Sequence, residues 1–344
     1  MSVDRDLIER LPKTDLHVHL DGSLRPGTIW ELAQLDEVEL PFDSAEAVDN
    51  WFTQELPERD LVAYLNRFDV TTSVMQTKEA LERIAFELLE DAAAENVWYM
   101  EVRYAPILLT KRGLSPRQVV DAVKRGLARG MELYPRTQAY QIICGLRHFE
   151  PERALRMASL AVEYKGRGVV AFDLAGAEVD NPAKWFREAF YIVRDANLNV
   201  TVHAGEAYGP ESIHQALHWT NAHRIGHGVR LGEDPDLLEY VRDHRIPLEM
   251  CPTSNVQTGA VDSIEAHPIR EYFDRGLRVT VNTDNRLMSN TTMTREIELL
   301  ADHLGFDLEE IKKLLLNGFK SAFLRYPERK TLIGEASEAL GAMR

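Results

Sequence analysis

The feature that most constrains the fold is an alternation of short β-rich runs with amphipathic helical segments along nearly the whole chain. Eight β-rich runs end in polar or small residues, at about residues 13–20, 97–104, 139–145, 169–175, 199–204, 223–228, 246–251 and 278–284. Helical periodicity separates them, for example at 78–96, 116–133, 152–164, 182–196, 210–219, 234–245 and 264–275. Such alternation predicts parallel strands with helices outside, and eight strands close a (β/α)8 barrel.

A single α/β domain is the preferred interpretation of the 344 residues, a TIM barrel with extra helices inserted after strand 1. The runner-up is an open doubly wound sheet, but no GxGxxG motif follows a strand. The stretch at about 21–96 is too long for a simple crossover and is predicted to be a helical lid. Candidates for an apolar wall in it are Trp51, Phe52, Tyr64, Leu65 and Phe68. The segment at about 327–344 is interpreted as a C-terminal tail.

Composition excludes several classes of partner. With 40 basic and 55 acidic side chains, the net charge of −15 argues against a nucleic-acid or anionic-membrane partner. No apolar run reaches the length of a membrane span, and the acidic start at Asp4 and Asp6 does not resemble a secretion signal, so we expect a cytoplasmic protein. Cys144 and Cys251 are the only cysteines, so any metal must be held by histidine and carboxylate. The sequence sets no oligomeric state.

The first strand carries an unusual polar face. Period-two alternation in the run 13–21 places Asp15, His17, His19 and Asp21 on one face and the apolar residues between them on the other. Two imidazoles that are two residues apart on a strand point the same way, so they can converge on one metal ion.

Three other strand ends carry similar residues. The fifth strand ends at His203 and is followed by Ala-Gly and Glu206, the sixth places His227 between two glycines, and the eighth ends at Asp284 and Asn285. In a parallel barrel the carboxyl ends of the strands meet at one mouth, where barrel active sites are built. The sequence therefore predicts a site that gathers histidines and carboxylates from distant parts of the chain.

Taken in order, these motifs resemble those of the adenosine deaminase family of metal-dependent hydrolases. The motifs are His17-Val-His19-Leu-Asp21-Gly22, Asp173-Leu-Ala-Gly176-Ala-Glu178, His203-Ala-Gly-Glu206, Gly226-His227-Gly228 and Asn282-Thr-Asp284. The match runs from about residue 10 to about residue 325. It implies one Zn²⁺ ion per chain, held by His17, His19, His203 and Asp284 together with a water molecule.

The resemblance also implies roles for individual residues. Glu206 is expected to donate a proton to the purine ring, while His227 orients the water and relays its proton, so that these two and Asp284 form the catalytic set. On the substrate side, Gly176 is expected to offer a backbone contact to purine N3 and Asp21 to lie near the ribose 5′-hydroxyl; His19 belongs to the same substrate-contacting set.

Asn285 departs from the family pattern, in which a second acid often follows the ligand aspartate and contacts purine N7. An asparagine amide can donate a hydrogen bond to N7 at any pH, whereas a carboxyl group must first be protonated. The change is compatible with adenine recognition, but it leaves open which 6-aminopurine is preferred.

The predicted reaction adds water to C6 of adenosine or 2′-deoxyadenosine and releases ammonia with inosine or deoxyinosine. A bound Zn²⁺ ion makes water a stronger nucleophile at neutral pH. No lysine stands at the end of strand four, where related two-metal hydrolases carry a bridging one, so one metal is expected. Two alternatives remain: a deaminase of another 6-aminopurine compound, such as 6-aminodeoxyfutalosine, another modified adenosine or adenine, and an inactive binding protein on the same barrel.

Overall fold

The structure is a computed structural model that describes residues 3–54 and 61–343, with the side chains of 61–66 left out of the description. Within these residues the chain forms eight strands: β1 (Lys13–His19), β2 (Val97–Tyr104), β3 (Gln138–Leu146), β4 (Val169–Ala175), β5 (Asn199–Ala204), β6 (Arg224–His227), β7 (Leu248–Met250) and β8 (Val279–Val281). All eight fall within the predicted runs or within one residue of them.

The strands form one parallel sheet in the order β1 to β8, each paired with the next along the chain. The seam between the last strand and the first is closed just beyond β8. There the Asp284 N–H donates to the His17 carbonyl (2.8 Å) and the His19 N–H donates to the Asp284 carbonyl (2.7 Å). The predicted (β/α)8 barrel is confirmed.

Helices surround the strands. Among the described residues they are α1 (Arg5–Arg10), α2 (Pro26–Leu35), α3 (Ala45–Thr53), α4 (Leu61–Val74), α5 (Lys78–Ala94), α6 (Pro116–Leu133), α7 (Pro151–Glu163), α8 (Arg187–Asp195), α9 (Pro210–His218), α10 (Pro235–Asp243), α11 (Pro252–Gln257), α12 (Ile269–Asp274), α13 (Met293–Leu304), α14 (Leu308–Ser321) and α15 (Tyr326–Ala342). Short 3-10 helices lie at Pro106–Leu109, Ala183–Phe186 and Val229–Glu233. Many of the helices begin with proline, which lacks one of the backbone N–H groups that have no partner in the first turn.

Four helices, α2 to α5, separate β1 from β2. The last of them belongs to the ordinary outer layer, because Gly126 and Gly130 of α6 have no room for a Cβ beside the Glu82 carbonyl (2.2 Å) and the Leu89 side chain (2.8 Å) of α5. The inserted helices are therefore α2 to α4, and their role as a lid stays a prediction. Of the expected apolar wall, Tyr64 and Leu65 lie outside the described side chains.

The remaining wall residues pack within the insertion. Phe52 is buried, and the ring of Trp51 lies edge-on to it at 4.8 Å. Phe68 is partly buried against the main core. Trp51, Phe52 and Phe68 thus pack against other residues of the protein. Their predicted contact with substrate stays a prediction.

The segment predicted as a tail is the helix α15, which packs on the barrel. Its buried residues Leu332 and Ala336 join a cluster with Leu16 of β1, Trp98 of β2 and Phe319 of α14. The segment therefore covers an apolar surface of the barrel. None of the helices in the described ranges has the length and apolarity to span a membrane.

A layer of buried charges lies inside the barrel, below its mouth. Glu249 of β7 pairs with Arg103 of β2 (2.8 Å) and with Arg224 of β6 (2.5 Å), and Arg224 also pairs with Glu101. All four side chains are at most 1% exposed. Such charges are tolerated in a core only when each has partners, and here every one is paired with an opposite charge.

Candidate active site at the barrel mouth

Three strand ends, those of β1, β5 and β8, bring the four predicted metal ligands together. The Nε2 atom of His203 lies 3.1 Å from Nε2 of His17 and 3.2 Å from Nε2 of His19. Oδ1 of Asp284 lies 3.4 Å from Nε2 of each of the two β1 histidines. Ligand atoms about 2.0–2.1 Å from a tetrahedral zinc ion are separated by about 3.3 Å, so the four donor atoms fit such an ion.

His227 is the nearest rival for a place among the ligands. The ligand atoms of His17, His203, His227 and Asp284 also lie within 4.8 Å of one another. Nε2 of His19 lies 3.2 Å from Nε2 of His203 and 3.4 Å from Oδ1 of Asp284. The structure thus brings both His19 and His227 to the group formed by His17, His203 and Asp284.

Two of the imidazoles are oriented from behind by carboxylates. Nδ1 of His17 lies 2.9 Å from Oε2 of Glu249, and Nδ1 of His203 lies 3.0 Å from Oδ2 of Asp173. A proton on each Nδ1 donates to the carboxylate and leaves the Nε2 lone pair facing the centre, an arrangement common to metal-bound histidines. Arg103 bridges both carboxylates (3.0 and 2.8 Å) and so fixes their positions.

The protonation states of His17, His19 and Asp284 suit a cation. Burial opposes protonation of His203, but the Asp173 carboxylate raises its pKa, so this ring gives up its proton when a metal binds. Burial lowers the pKa of His17 to about 4 and lowers the pKa of His19 well below its usual value, so both rings are neutral near neutral pH. Burial opposes ionisation of Asp284, but its hydrogen bond with His17 and the neighbouring imidazoles hold the pKa of that carboxyl well below the usual range. Neutral imidazoles with an ionised carboxylate are the forms that bind a divalent metal.

The backbone bends sharply at two of these positions. His227 (φ 62°) and Asp284 (φ 58°) adopt the left-handed region, which is uncommon for residues other than glycine. Each stands where its strand turns away from the barrel, so the bend directs the side chain into the mouth. Backbone strain of this kind concentrates at functional sites.

Glu206 lies beside His227 in the loop that follows β5. Its Oε2 atom is 3.4 Å from Nε2 of His227, and its Oε1 accepts a hydrogen bond from the Thr258 hydroxyl (3.0 Å). The side chain is 22% exposed, so it borders open space at the mouth while His227 is buried. The two predicted catalytic residues are thus placed together.

The predicted substrate residues Asp21, Gly176 and Asn285 follow the carboxyl ends of β1, β4 and β8. Asp21 is 7% exposed, its Oδ1 makes no hydrogen bond within the described part of the chain, and burial raises its pKa to about 6. Asn285 is buried against Gly22, where a Cβ would lie 1.9 Å from the asparagine Oδ1. Gly176, with φ 89°, is exposed after β4, where its backbone is accessible.

Four residues of the site had no role predicted from the sequence, although Asp173 and Glu178 stand in one of the motifs quoted above. Glu249 orients His17, Asp173 orients His203, and the Ser254 hydroxyl donates to Oδ2 of Asp284 at 2.6 Å. Glu178 accepts hydrogen bonds from the backbone of the loop that carries Glu206. A sequence signal existed for Glu249, because a lone carboxylate within the apolar run Leu248–Met250 must have buried partners.

A parallel (β/α)8 barrel whose mouth joins three imidazoles and a carboxylate has the architecture of a metal-dependent hydrolase. Comparison with known proteins narrows this class. The sequence profile of the family described as adenosine deaminase matches residues 12–339. The chain therefore belongs to the adenosine deaminase family, as its motifs predicted, and the expected enzyme class, a hydrolytic deaminase, is confirmed.

Individual relatives agree with this placement. The chain is 45% identical to adenosine deaminase 1 of Streptomyces coelicolor, over 96% of this chain and 87% of that protein. It is 42% identical to an adenosine deaminase of Mycobacterium avium, over 97% and 96% of the two chains.

Solved structures of deaminases have a similar fold to this chain. The adenine deaminase of Arthrobacter aurescens superposes with a TM-score of 0.89 at 29% identity, covering 96% of this chain and 100% of that one. The N6-methyl-AMP deaminase of Arabidopsis thaliana does so with a TM-score of 0.86 at 28% identity, covering 98% and 99%. These two structural relatives share the fold and are named for different compounds, adenine and N6-methyl-AMP.

Proposed function

We propose that the chain hydrolyses adenosine and 2′-deoxyadenosine to inosine and deoxyinosine, with release of ammonia. The observation that carries the proposal is the convergence of four ligand atoms, 3.1–3.4 Å apart in the contacts given above, next to Glu206 and His227. The names of the 42–45% identical relatives support adenosine as the substrate.

We further propose that the metal is a single zinc ion held by His17, His19, His203 and Asp284. Three imidazoles and one carboxylate are nitrogen and oxygen donors of the kind that zinc prefers in catalytic sites. When bound, zinc supplies a water molecule whose pKa is lowered to roughly 7.

The side chains around the ion perform the remaining chemistry. Glu206 delivers a proton to purine N1, which makes C6 a better electron acceptor, and His227 orients the attacking water. Because Glu206 is reached from open space at the mouth while His227 is buried, the substrate enters on the Glu206 side.

Recognition of the nucleoside uses residues that follow β8, β4 and β1. The Asn285 amide donates to purine N7, and the backbone of Gly176 contacts N3. Asp21, whose Oδ1 makes no hydrogen bond within the described residues, accepts the ribose 5′-hydroxyl. The binding partner is therefore a small-molecule purine nucleoside, and the net charge of −15 disfavours a nucleic-acid partner. We propose that the protein works in the cytoplasm.

Substrate profiling of the zinc-loaded protein tests this function. Adenosine, 2′-deoxyadenosine, adenine, N6-methyl-AMP and 6-aminodeoxyfutalosine are each incubated with the enzyme, while ultraviolet absorbance and ammonia are followed. We expect the two adenosine nucleosides to have the highest kcat/KM. The proposal fails if both are inert while another compound turns over, and an inactive binding protein would turn over none of them.

A further inference from the structure

On the side of His227 that faces away from Glu206, Asn255 contacts the imidazole ring and His267 in turn contacts Asn255. Neither residue has been given a role above. The Asn255 side-chain amide nitrogen lies 3.0 Å from Nδ1 of His227, and the Asn255 amide oxygen lies 3.2 Å from Nε2 of His267. All three side chains are at most 3% exposed, so water does not replace these contacts.

The orientation of the Asn255 amide follows from a backbone donor. The N–H of Cys251 donates to Oδ1 of Asn255 at 3.2 Å, and a backbone N–H can only donate. The oxygen therefore faces Cys251 and His267, and the NH2 group faces His227.

A second backbone donor sets the state of His267. The N–H of Ile269 donates to Nδ1 of His267 at 3.2 Å, so this nitrogen accepts. Burial lowers the pKa of His267 to about 3, and the ring is neutral with its proton on Nε2. That proton is donated to the Asn255 oxygen, which fixes the amide from a second side.

The protonation of His227 follows from these contacts. An amide NH2 group only donates, so Nδ1 of His227 must accept from Asn255. The neutral imidazole then carries its proton on Nε2, the nitrogen that lies 3.4 Å from Oε2 of Glu206.

We propose that Asn255 and His267 are positioning residues that hold His227 in the Nε2–H tautomer, so that it faces the reacting atoms as a hydrogen-bond donor. This inference rests on the proposed deaminase function. Helix α11 links it to the ligand set, because adjacent residues of that helix contact Asp284 (Ser254, 2.6 Å) and His227 (Asn255).

The tautomer changes the part that His227 plays. A nitrogen that already bears a proton cannot accept one, so His227 stabilises the attacking oxygen instead of relaying the proton of the water. Glu206 is the neighbouring group that can accept it. The O–H bond of the water breaks, the proton passes to the Glu206 carboxylate and then to purine N1, and the oxygen bonds to C6.

Histidine-selective ¹⁵N labelling tests the tautomer directly, in metal-free and in zinc-loaded protein. The His227 signals are identified by their loss in His227→Gln, and long-range proton–nitrogen spectra distinguish a protonated ring nitrogen from an unprotonated one. We expect Nε2 protonated and Nδ1 unprotonated. Protonation of Nδ1 in the wild type would overturn the proposal, whatever the activity of the protein.

Asn255→Asp tests the functional part, because it places a carboxylate opposite Nδ1 and keeps the acceptor for Cys251 and His267. We expect the proton of His227 to move to Nδ1 and kcat for adenosine to fall by roughly 10²-fold or more, with KM within about threefold. Zinc content should stay that of the wild type. The matched control is Asn317→Asp on α14, where the Asn317 amide donates to the Val279 carbonyl of β8; it should leave the His227 tautomer and kcat unchanged.

A pair of substitutions at His267 covers the case in which Asn255→Asp does not fold. His267→Gln retains a donor for the Asn255 oxygen and should keep kcat near that of the wild type, whereas His267→Ala should lower it. Equal kcat in the two variants, with an unchanged His227 tautomer, would show that His267 is only a packing residue. If the wild type does not deaminate adenosine, the proposed function fails, while the spectra still decide the tautomer.

Discussion

The proposed ligand Asp284 is held from behind by a hydroxyl. The Ser254 Oγ–H donates to Oδ2 of Asp284 at 2.6 Å, which leaves Oδ1 for the metal. Loss of such a supporting contact typically weakens metal binding by roughly 10–100-fold. We expect Ser254→Ala to show a weakening in this range, measured by competition with a chromophoric zinc chelator. Ser321→Ala, which removes a hydroxyl that donates to the Asn317 carbonyl, is the matched control and should bind zinc like the wild type.

Substitution of Glu206 should affect catalysis and leave metal binding unchanged. Its carboxyl lies 3.4 Å from His227 and does not belong to the ligand set, so Glu206→Gln should keep zinc while losing the acid that protonates N1. We expect kcat to fall by roughly 10²–10⁴-fold or more with stoichiometric zinc by elemental analysis. Asp284→Ala should behave in the opposite way and lose zinc. Turnover of Glu206→Gln at the wild-type rate would remove this residue from the proton-donor role.

At the scale of elements, the loop after β5 is organised by one carboxylate from the loop after β4. Glu178 is 7% exposed and accepts the backbone N–H groups of Gly205 (2.6 Å), Glu206 (3.1 Å), Ala207 (2.7 Å) and Tyr208 (2.9 Å). Consecutive N–H groups that converge on one anion form a nest. The position of Glu206, the proposed proton donor, therefore depends on Glu178.

We expect Glu178→Gln to lower kcat by at least about tenfold, because its NH2 group faces backbone donors and the loop must shift. Zinc content should not change, since the Glu178 contacts given above are with the backbone of residues 205–208 and not with the side chains of the four proposed ligands. Kinetics with adenosine and a zinc assay measure both effects. Glu211→Gln, an exposed residue in the first turn of α9, is the control and should keep the wild-type kcat. An unaltered kcat in Glu178→Gln would show that the loop holds Glu206 without the nest.

The elements themselves were largely predictable, and the contacts between them were not. The alternation of β1 gives the face on which His17 and His19 lie, and the rule that strand ends share one mouth places them with His203 and Asp284. No pattern within one strand says which residue across the barrel it meets. Glu249 is 232 positions from His17 and Ser254 is 30 from Asp284, so these partners became visible only in the folded chain.

For the molecule as a whole, burial of ionisable groups makes stability depend on pH. Glu296 of α13 is fully buried, accepts the Thr253 N–H (3.1 Å) and the Thr291 hydroxyl (2.5 Å), and has no cationic partner in the contacts described. Burial raises its pKa from the ordinary 4.5 to about 7. The folded chain thus holds a proton that the unfolded chain has released between these two values. The free energy of unfolding must fall as pH rises through that window.

Glu296→Gln is neutral at every pH and should not show this loss. Each pKa unit corresponds to about 1.4 kcal/mol, so between about pH 4.5 and about pH 8 the free energy of unfolding of the variant should rise by roughly 2–3 kcal/mol relative to the wild type. Urea unfolding of both proteins in matched buffers, with zinc removed, measures the difference. Glu298→Gln, two positions along α13 and paired with Arg5 (2.8 Å), is the control that should show no such rise. A constant difference between Glu296→Gln and the wild type across this range would mean that Glu296 is already ionised in the fold, and that the interior around α13 tolerates a charge that its neighbours do not neutralise.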